Sequence, residues 1–144
     1  GHSFRFWRKA AADPVIRRAI LPAMERVGLE ERADILAANL SHGEKRQLEV
    51  GMALSGNPKM LLLDEPYAGM GPGGAVELTK LFQRLKADFT ILLVEHDMRA
   101  VFALADRITV LVYGQAIASG TPDVIRADPA VRQAYLGDEV IEQG

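Results

Sequence analysis

The sequence contains no cysteine, which excludes disulfide bonds and thiolate metal sites and fits a reducing compartment. It also lacks any apolar run approaching the ~18 residues that a transmembrane helix needs. The net charge of −2 gives no long-range attraction for nucleic acid, so we expect no nucleic-acid partner. What remains is a chain of 144 residues with 49% hydrophobic residues, which is typical of a soluble globular protein.

Two unbroken apolar runs, Met60–Leu63 and Thr90–Val94, have the length of buried strands. Because neither run alternates with polar residues, we expect strands that are covered on both faces, as in a parallel sheet. Apolar residues at helical spacing from Leu78 to Leu85 predict a helix between the two strands. Farther on, Arg107–Val112 and Gln115–Ser119 predict a hairpin, which two short helices follow. This alternation predicts an α/β fold.

The first part of the chain is predicted to be helical. Asp13 is expected to cap a helix that ends at Gly28, and a second helix is expected to begin after Ser41. In the second helix, Leu48, Met52 and Val50 are expected to face inward.

Both predicted strands end in charged residues. Asp64 and Glu65 follow the first strand, and Glu95, His96 and Asp97 follow the second. Ligands of open α/β sheets bind at the carboxyl ends of the strands, so these groups are expected at one edge. Asp64 is placed like a Mg²⁺ ligand, and Glu65 could accept a proton from an attacking water. His96 could contact a γ-phosphate or organise that water, whereas Glu95 and Asp97 are expected to be surface or capping residues.

The segment Ser41–Glu44 has the pattern of a capping box, in which Ser41 caps a helix and Glu44 reaches back to it. Capping alone explains these residues. The same geometry also points backbone N–H groups outward, where they could bind an anion. Gly43 has no side chain and would let a phosphate come close.

Four segments together resemble the ATPases of the ABC family. Leu40–Glu44 resembles the signature motif, as a variant of Leu-Ser-Gly-Gly-Gln. Met60–Glu65 resembles the Walker B strand with its catalytic glutamate. Tyr67–Met70 resembles the start of the D-loop, and Val94–Asp97 resembles the loop of the switch histidine. All four follow the family's order.

The resemblance implies a partial P-loop NTPase fold with parallel strands, flanking helices and a C-terminal hairpin. Residues 1–57 would form part of the helical subdomain, and residues 58–144 the C-terminal part of the catalytic core. One branch in particular, the ATP-binding subunits of importers for branched-chain amino acids, amides or urea, is resembled by three segments: Leu48–Leu54, Ala68–Met70 in the D-loop and the tail Tyr135–Gly137.

The resemblance also implies the cofactors, ATP and Mg²⁺, and a role for each site residue. Asp64 would hold Mg²⁺ through water, Glu65 would be the general base, and His96 would sense the γ-phosphate. The signature segment Ser41, His42, Gly43 and Glu44 would bind the γ-phosphate of ATP held by a second subunit in a head-to-tail dimer.

Further partners implied by the resemblance are transmembrane permease subunits and, indirectly, a periplasmic or extracellular solute-binding protein. The chain would then lie peripherally at the cytoplasmic face of the membrane.

The sequence departs from the family pattern in one major respect. It contains no Gly-Lys pair, so a Walker A loop cannot be drawn anywhere in it. We therefore interpret the chain as a C-terminal fragment that is inactive by itself. Smaller departures are His42 for the first signature glycine, Glu44 for glutamine, and Gly71 where most D-loops have aspartate.

Three other interpretations stay open at this point. The first is the ATPase of a lipopolysaccharide-type exporter, which has a similar D-loop and tail. The second is a DNA-repair or chromosome-structuring ATPase, although residues 1–40 show no sustained heptad repeat of the kind expected there. The third is a binding module that works without hydrolysis.

Overall fold

The computed structural model describes residues 13–136, in which helices and strands follow one another in the predicted order. The longer elements are α1 (Pro14–Val27), α2 (His42–Ser55), β1 (Met60–Asp64), α3 (Pro72–Leu85), β2 (Thr90–Val94), α4 (Met98–Leu104), β3 (Ile108–Val112) and β4 (Gln115–Gly120). Two short helices, α5 (Pro122–Ala127) and α6 (Pro129–Val131), precede a π-helical turn at Arg132–Leu136.

Helix α1 begins and ends where the sequence predicts. The side chain of Asp13 accepts a hydrogen bond from the backbone N–H of Val15 at 2.9 Å, and Gly28 ends the helix with φ at 73°. Helix α1 packs against α2. This packing is tight at Gly51, where an added Cβ would lie only 3.1 Å from Cγ2 of the buried Val27. Glycine at this position therefore allows the two helices to approach.

Strands β1 and β2 are hydrogen-bonded neighbours in a two-stranded parallel sheet. The expectation that both faces are covered is wrong for the residues that the structure describes. Leu61 is 3% exposed, but its neighbour Leu62 is 71% exposed, and Val94 of β2 is 55% exposed. Side chains of a strand alternate between faces, so residues 13–136 cover one face of this sheet and leave apolar side chains on the other in contact with solvent.

The chain divides into two compact units, the first ending at Leu92 and the second beginning at Leu93. In the first unit, α3 buries the whole stripe that its sequence predicts. The buried side chains of this helix are Leu78, Leu81, Phe82 and Leu85. Full burial of one such side chain contributes about 1.5–3 kcal/mol, so α3 is a main source of stability in this unit.

The second unit has its own apolar core, to which the hairpin, α5 and α6 contribute. Its buried members are Ile108, Val110, Ile125 and Val131. Strands β3 and β4 pair antiparallel with a bulge after Val110. Tyr113 and Gly114 form the turn with φ at 50° and 78°, as a two-residue hairpin turn of the type I′ class requires. The predicted hairpin is confirmed.

The predicted division of the chain at residue 57 follows the subdomains of the family and stays a prediction. Gly137, the last residue of the predicted tail segment, lies outside the described residues. Between residues 13 and 136, no helix is both long enough and apolar enough to span a bilayer.

Candidate functional site

The signature segment forms the capped start of α2. The Ser41 hydroxyl accepts a hydrogen bond from the backbone N–H of Glu44 at 3.2 Å, and Oε2 of Glu44 accepts one from the backbone N–H of Ser41 at 2.8 Å. This is the reciprocal capping box that the sequence predicts. The other carboxylate oxygen of Glu44 pairs with Nε of Arg32 at 2.8 Å. Arg32 lies in the connection between α1 and α2, so Glu44 also ties this connection to the cap.

The same contacts lower the pKa of Glu44. The largest cause is the hydrogen bond from the Ser41 backbone, followed by that with the Ser41 side chain, and the Arg32 charge acts in the same direction. Because the pKa is lower in the folded chain, ionised Glu44 stabilises the fold above its ordinary pKa of 4.5. This contribution is lost as the pH falls through the lowered pKa.

The start of α2 touches the loop that follows β1. Nε2 of His42 lies 3.3 Å from the carbonyl oxygen of Ala68, which is hydrogen-bonding distance. A Cβ added to Gly43 would lie 3.4 Å from Cε of Met70 and 3.6 Å from the Cα of Gly74 in α3. The signature segment and the D-loop segment, which are separated by 26 residues at this hydrogen bond, therefore form one surface of the first unit.

The acidic residues sit where β1 ends. Asp64 is the last residue of the strand, and both Asp64 and Glu65 are exposed. Glu65 has a φ of 44°, a left-handed conformation that costs a non-glycine residue about 1–3 kcal/mol. Its carbonyl oxygen accepts the N–H of Ala68 at 3.0 Å, so the chain turns sharply at this point. Such strain at an acidic residue is typical of functional positions.

Tyr67 anchors this turn. It is 7% exposed, its hydroxyl lies 2.9 Å from Oγ1 of Thr79, and its ring meets the ring of Phe82 edge-on at a centroid distance of 6.1 Å. Both partners belong to α3. The buried ring therefore fixes the loop that carries Glu65 against the best-packed helix of the unit.

The residues at the end of β1 fit Mg²⁺ of the kind that phosphate substrates bring with them. Magnesium in such sites takes one or two carboxylates and completes its shell with water and phosphate oxygens. A single exposed carboxylate, Asp64, satisfies this need. Residues 13–136 contain no group of three or more histidine and acidic side chains arranged to hold a metal without a substrate.

His96 belongs to the second unit and follows β2. Its side chain is 71% exposed, whereas that of its neighbour Glu95 is only 1% exposed. Oε2 of Glu95 lies 3.1 Å from the backbone N of His96 and 3.4 Å from that of Asp97, and accepts a hydrogen bond from each. Asp97 caps α4 by accepting from the backbone N–H groups of Arg99 and Ala100. Glu95 and Asp97 thus both accept hydrogen bonds from backbone N–H groups, as capping residues do, and the side chain of Glu95 is buried.

The structure brings Ser41, His42, Gly43 and Glu44 into one turn next to the loop after Asp64 and Glu65. Sequence reasoning missed two residues that shape these loops. Arg32 lies 12 positions before its ion-pair partner Glu44, and no helix or turn pattern in the sequence predicts a contact at that spacing. The position of Glu95 could have indicated its burial, because this residue directly follows a strand and precedes two backbone N–H groups of a turn that a carboxylate can bind.

Known proteins with similar sequences show the family of this chain. A family model described as ABC transporter matches residues 5–68, and one described as branched-chain amino acid ATP-binding cassette transporter matches residues 117–141. The high-affinity branched-chain amino acid transport ATP-binding protein LivG of Escherichia coli K12 is 42% identical over 92% of this chain. This chain belongs to the ABC transporter ATP-binding family.

Other curated relatives agree. BraF of Pseudomonas aeruginosa, described in the same words as LivG, is 39% identical over 87% of the chain and 52% of its own length. The lipopolysaccharide export system ATP-binding protein LptB of E. coli K12 is 35% identical over 81% of the chain and 48% of its own length. LivG itself is covered over 52% of its length. The chain thus spans about half the length of the curated relatives that it matches.

Solved structures confirm the fold. The ATP-binding cassette MJ1267 of an ABC transporter superposes with a TM-score of 0.77 at 32% identity, over 91% of this chain and 53% of that one. CbiO1 from Clostridium perfringens, part of the ABC transporter complex cbiONQ, gives a TM-score of 0.72 at 32% identity, over 85% of this chain and 50% of that one. The predicted α/β ABC ATPase fold is confirmed.

Proposed function

We propose that this chain forms the signature, Walker B and switch portion of an ABC importer subunit that couples Mg-ATP hydrolysis to the uptake of branched-chain amino acids. The observation that carries the proposal is the contact between the capped signature turn and the D-loop segment, at His42 and Ala68. The match to the branched-chain amino acid cassette model and the similarity to LivG support this substrate class.

Three residues act on the nucleotide bound to the same subunit. Asp64 holds Mg²⁺ through water, Glu65 takes the proton of the attacking water, and His96 contacts the γ-phosphate. The exposed positions of Asp64 and Glu65 at the strand end support these roles. So does the strained backbone of Glu65, since such strain is typical of functional positions. Positioning and charge neutralisation of this kind provide most of the catalysis in phosphoryl transfer.

The signature turn acts on the nucleotide of a second subunit. Oγ of Ser41 accepts a hydrogen bond within the cap, and a hydroxyl that accepts can still donate its own hydrogen to a phosphate. Gly43 lies in the first turn of α2, where N–H groups point along the helix axis toward an anion. Because Glu44 is ionised, its charge is balanced by Arg32 rather than presented to the phosphate.

We infer the partners from the similarity to the transport ATP-binding proteins LivG and BraF. A second ATP-binding subunit pairs head to tail with the first, and permease subunits bind the pair at the cytoplasmic face of the membrane, where the subunit lies peripherally. A solute-binding protein acts indirectly through the permeases.

Glu65→Gln tests the proposal in the complete subunit, by which we mean this chain joined to an N-terminal half that carries a Walker A loop. The amide keeps the shape of the side chain but accepts no proton, so ATP turnover falls by about 10²–10⁴-fold, the usual contribution of a general base. Binding of Mg-ATP, followed by titration calorimetry, is retained.

The matched control is Glu77→Gln, which makes the same chemical change on the exposed side of α3, where Glu77 pairs with Lys80. Turnover of this variant stays near wild type. A Glu65→Gln subunit that hydrolyses ATP as fast as the control contradicts the assignment of the base.

The similarity to LptB supports a second candidate, the ATPase of a lipopolysaccharide exporter. The two candidates predict different partners. The importer is supported if the subunit co-purifies with permeases in a complex whose ATPase rate rises with a branched-chain amino acid and its binding protein. The exporter is supported if lipopolysaccharide raises the ATPase rate of the complex that the subunit forms with lipopolysaccharide permeases.

A further inference from the structure

Glu95 is a buried carboxylate to which the proposed chemistry gives no role. It directly follows β2 and precedes His96, and its side chain is 1% exposed. Burying a carboxylate is costly unless hydrogen bonds replace its hydration. Its position therefore needs a physical reason.

Two hydrogen bonds of Glu95 run to the backbone of the loop that carries His96. One oxygen, Oε2, accepts from the N–H of His96 at 3.1 Å and from the N–H of Asp97 at 3.4 Å. The same oxygen lies 4.0 Å from Nδ1 of the imidazole, beyond hydrogen-bonding distance. The carboxylate thus holds the main chain at His96 more directly than it holds the ring.

Asp97, the residue after His96, connects the same turn to α4. Asp97 accepts from the backbone N–H groups of Arg99 at 2.9 Å and Ala100 at 3.3 Å and so starts α4. His96 therefore lies in a turn between β2 and α4, and the carboxylates on both sides of it accept hydrogen bonds from backbone N–H groups. The His96 side chain, which is 71% exposed, projects from this turn.

We propose that Glu95 is a positioning residue for the switch histidine, because its buried carboxylate fixes the backbone from which His96 projects toward the γ-phosphate. This inference rests on the proposed function of His96. The required feature is an acceptor oxygen at Oε2, because this oxygen accepts from the backbone N–H groups of His96 and Asp97.

Two variants in the complete subunit separate this role from general stability. Glu95→Ala removes the acceptor, and we expect kcat for ATP to fall about 10-fold, the scale of one lost hydrogen bond to a charged group, with KM nearly unchanged. Glu95→Gln keeps a carbonyl oxygen in nearly the same place, and we expect it to restore kcat to within about 3-fold of wild type.

Amide hydrogen exchange reads the positioning directly. In Glu95→Ala, exchange at His96 and Asp97 is expected to accelerate about 10-fold, while the amides of the core strand at Val110 keep their protection. Glu95→Gln should exchange like wild type at all three residues.

The control is Asp128→Ala, which removes another carboxylate of the second unit that accepts from two backbone N–H groups, those of Ala130 and Val131. We expect it to leave kcat unchanged. The inference is overturned if Glu95→Ala keeps wild-type kcat and exchange, or if Glu95→Gln is as impaired as Glu95→Ala. If the wild-type subunit shows no ATP turnover, the proposed function fails, and exchange at His96 still decides whether Glu95 holds the loop.

Discussion

Replacing Gly43 by alanine separates the structural role of this glycine from its proposed role at a phosphate. Gly43 is the second helical residue of α2, so alanine gains about 1 kcal/mol of helix propensity. The added Cβ lies 3.4 Å from Cε of Met70 and 3.6 Å from the Cα of Gly74, which are ordinary van der Waals distances. We therefore expect the free energy of unfolding to be unchanged or up to about 1 kcal/mol higher.

The effect on catalysis should have the opposite sign. We expect a methyl group at Gly43 to hinder the γ-phosphate that is proposed to approach the backbone N–H groups of this turn. Losing a hydrogen bond to a charged group costs about 1.5–3 kcal/mol, which corresponds to about 10–150-fold in turnover. Steady-state ATPase assays of the complete subunit measure this loss, and urea denaturation of the same preparation measures the stability.

Two outcomes refute this reasoning. Full turnover in Gly43→Ala shows that no phosphate needs the space beside this residue. A stability loss of about 2 kcal/mol or more shows that the glycine is required by the fold itself, against the distances to Met70 and Gly74.

The remaining predictions concern stability, pH and binding. Gly51→Val places a larger side chain against the buried Val27, so we expect it to lower the free energy of unfolding of the first unit, measured in urea, by about 1–3 kcal/mol. Met52→Val is the control, because Met52 is 65% exposed, and it should change the stability little. Glu44→Gln should flatten the loss of stability that wild type shows on acidification below pH 4.5, as followed by thermal unfolding at several pH values; an unchanged acid limb contradicts the lowered pKa. The 144-residue chain alone should show no micromolar binding of Mg-ATP by titration calorimetry, because it has no Walker A loop.

Local signals in the sequence predicted most of the secondary structure. Asp13, Ser41 and Gly28 act on backbone groups within a few residues of themselves, so helix starts and ends can be predicted from neighbours alone. The hairpin turn at Tyr113 and Gly114 is local in the same sense.

Burial was harder to predict because it depends on what packs from elsewhere. In α2 the inward face is formed by Val50, Gly51 and Leu54, while Met52 points to solvent. The expectation for Met52 was wrong because hydrophobicity alone did not show that the face with the small Gly51 is the one that approaches α1. Leu62 shows the same limit, since an apolar run reveals that a strand can be buried but not which residues cover it.

The sequence predicted individual site residues but not the contacts between their segments. The motifs identified Ser41, Gly43, Asp64 and Glu65. The contact of His42 with the D-loop segment joins residues far apart in the chain, so no periodic pattern indicates it. The buried state of Glu95 likewise depends on the turn that it stabilises.

The most direct test of the central claim is the ATPase activity of mixed dimers of the complete subunit. Dimers of Glu65→Gln alone or of Gly43→Ala alone are each expected to keep about a tenth of wild-type activity or less. If the signature turn serves the nucleotide of the other subunit, a mixed dimer has one site with both wild-type Glu65 and wild-type Gly43. Random mixing makes half of the dimers mixed, so we expect recovery of about a quarter of wild-type activity. No recovery on mixing, with dimer exchange verified by labelled subunits, contradicts the account.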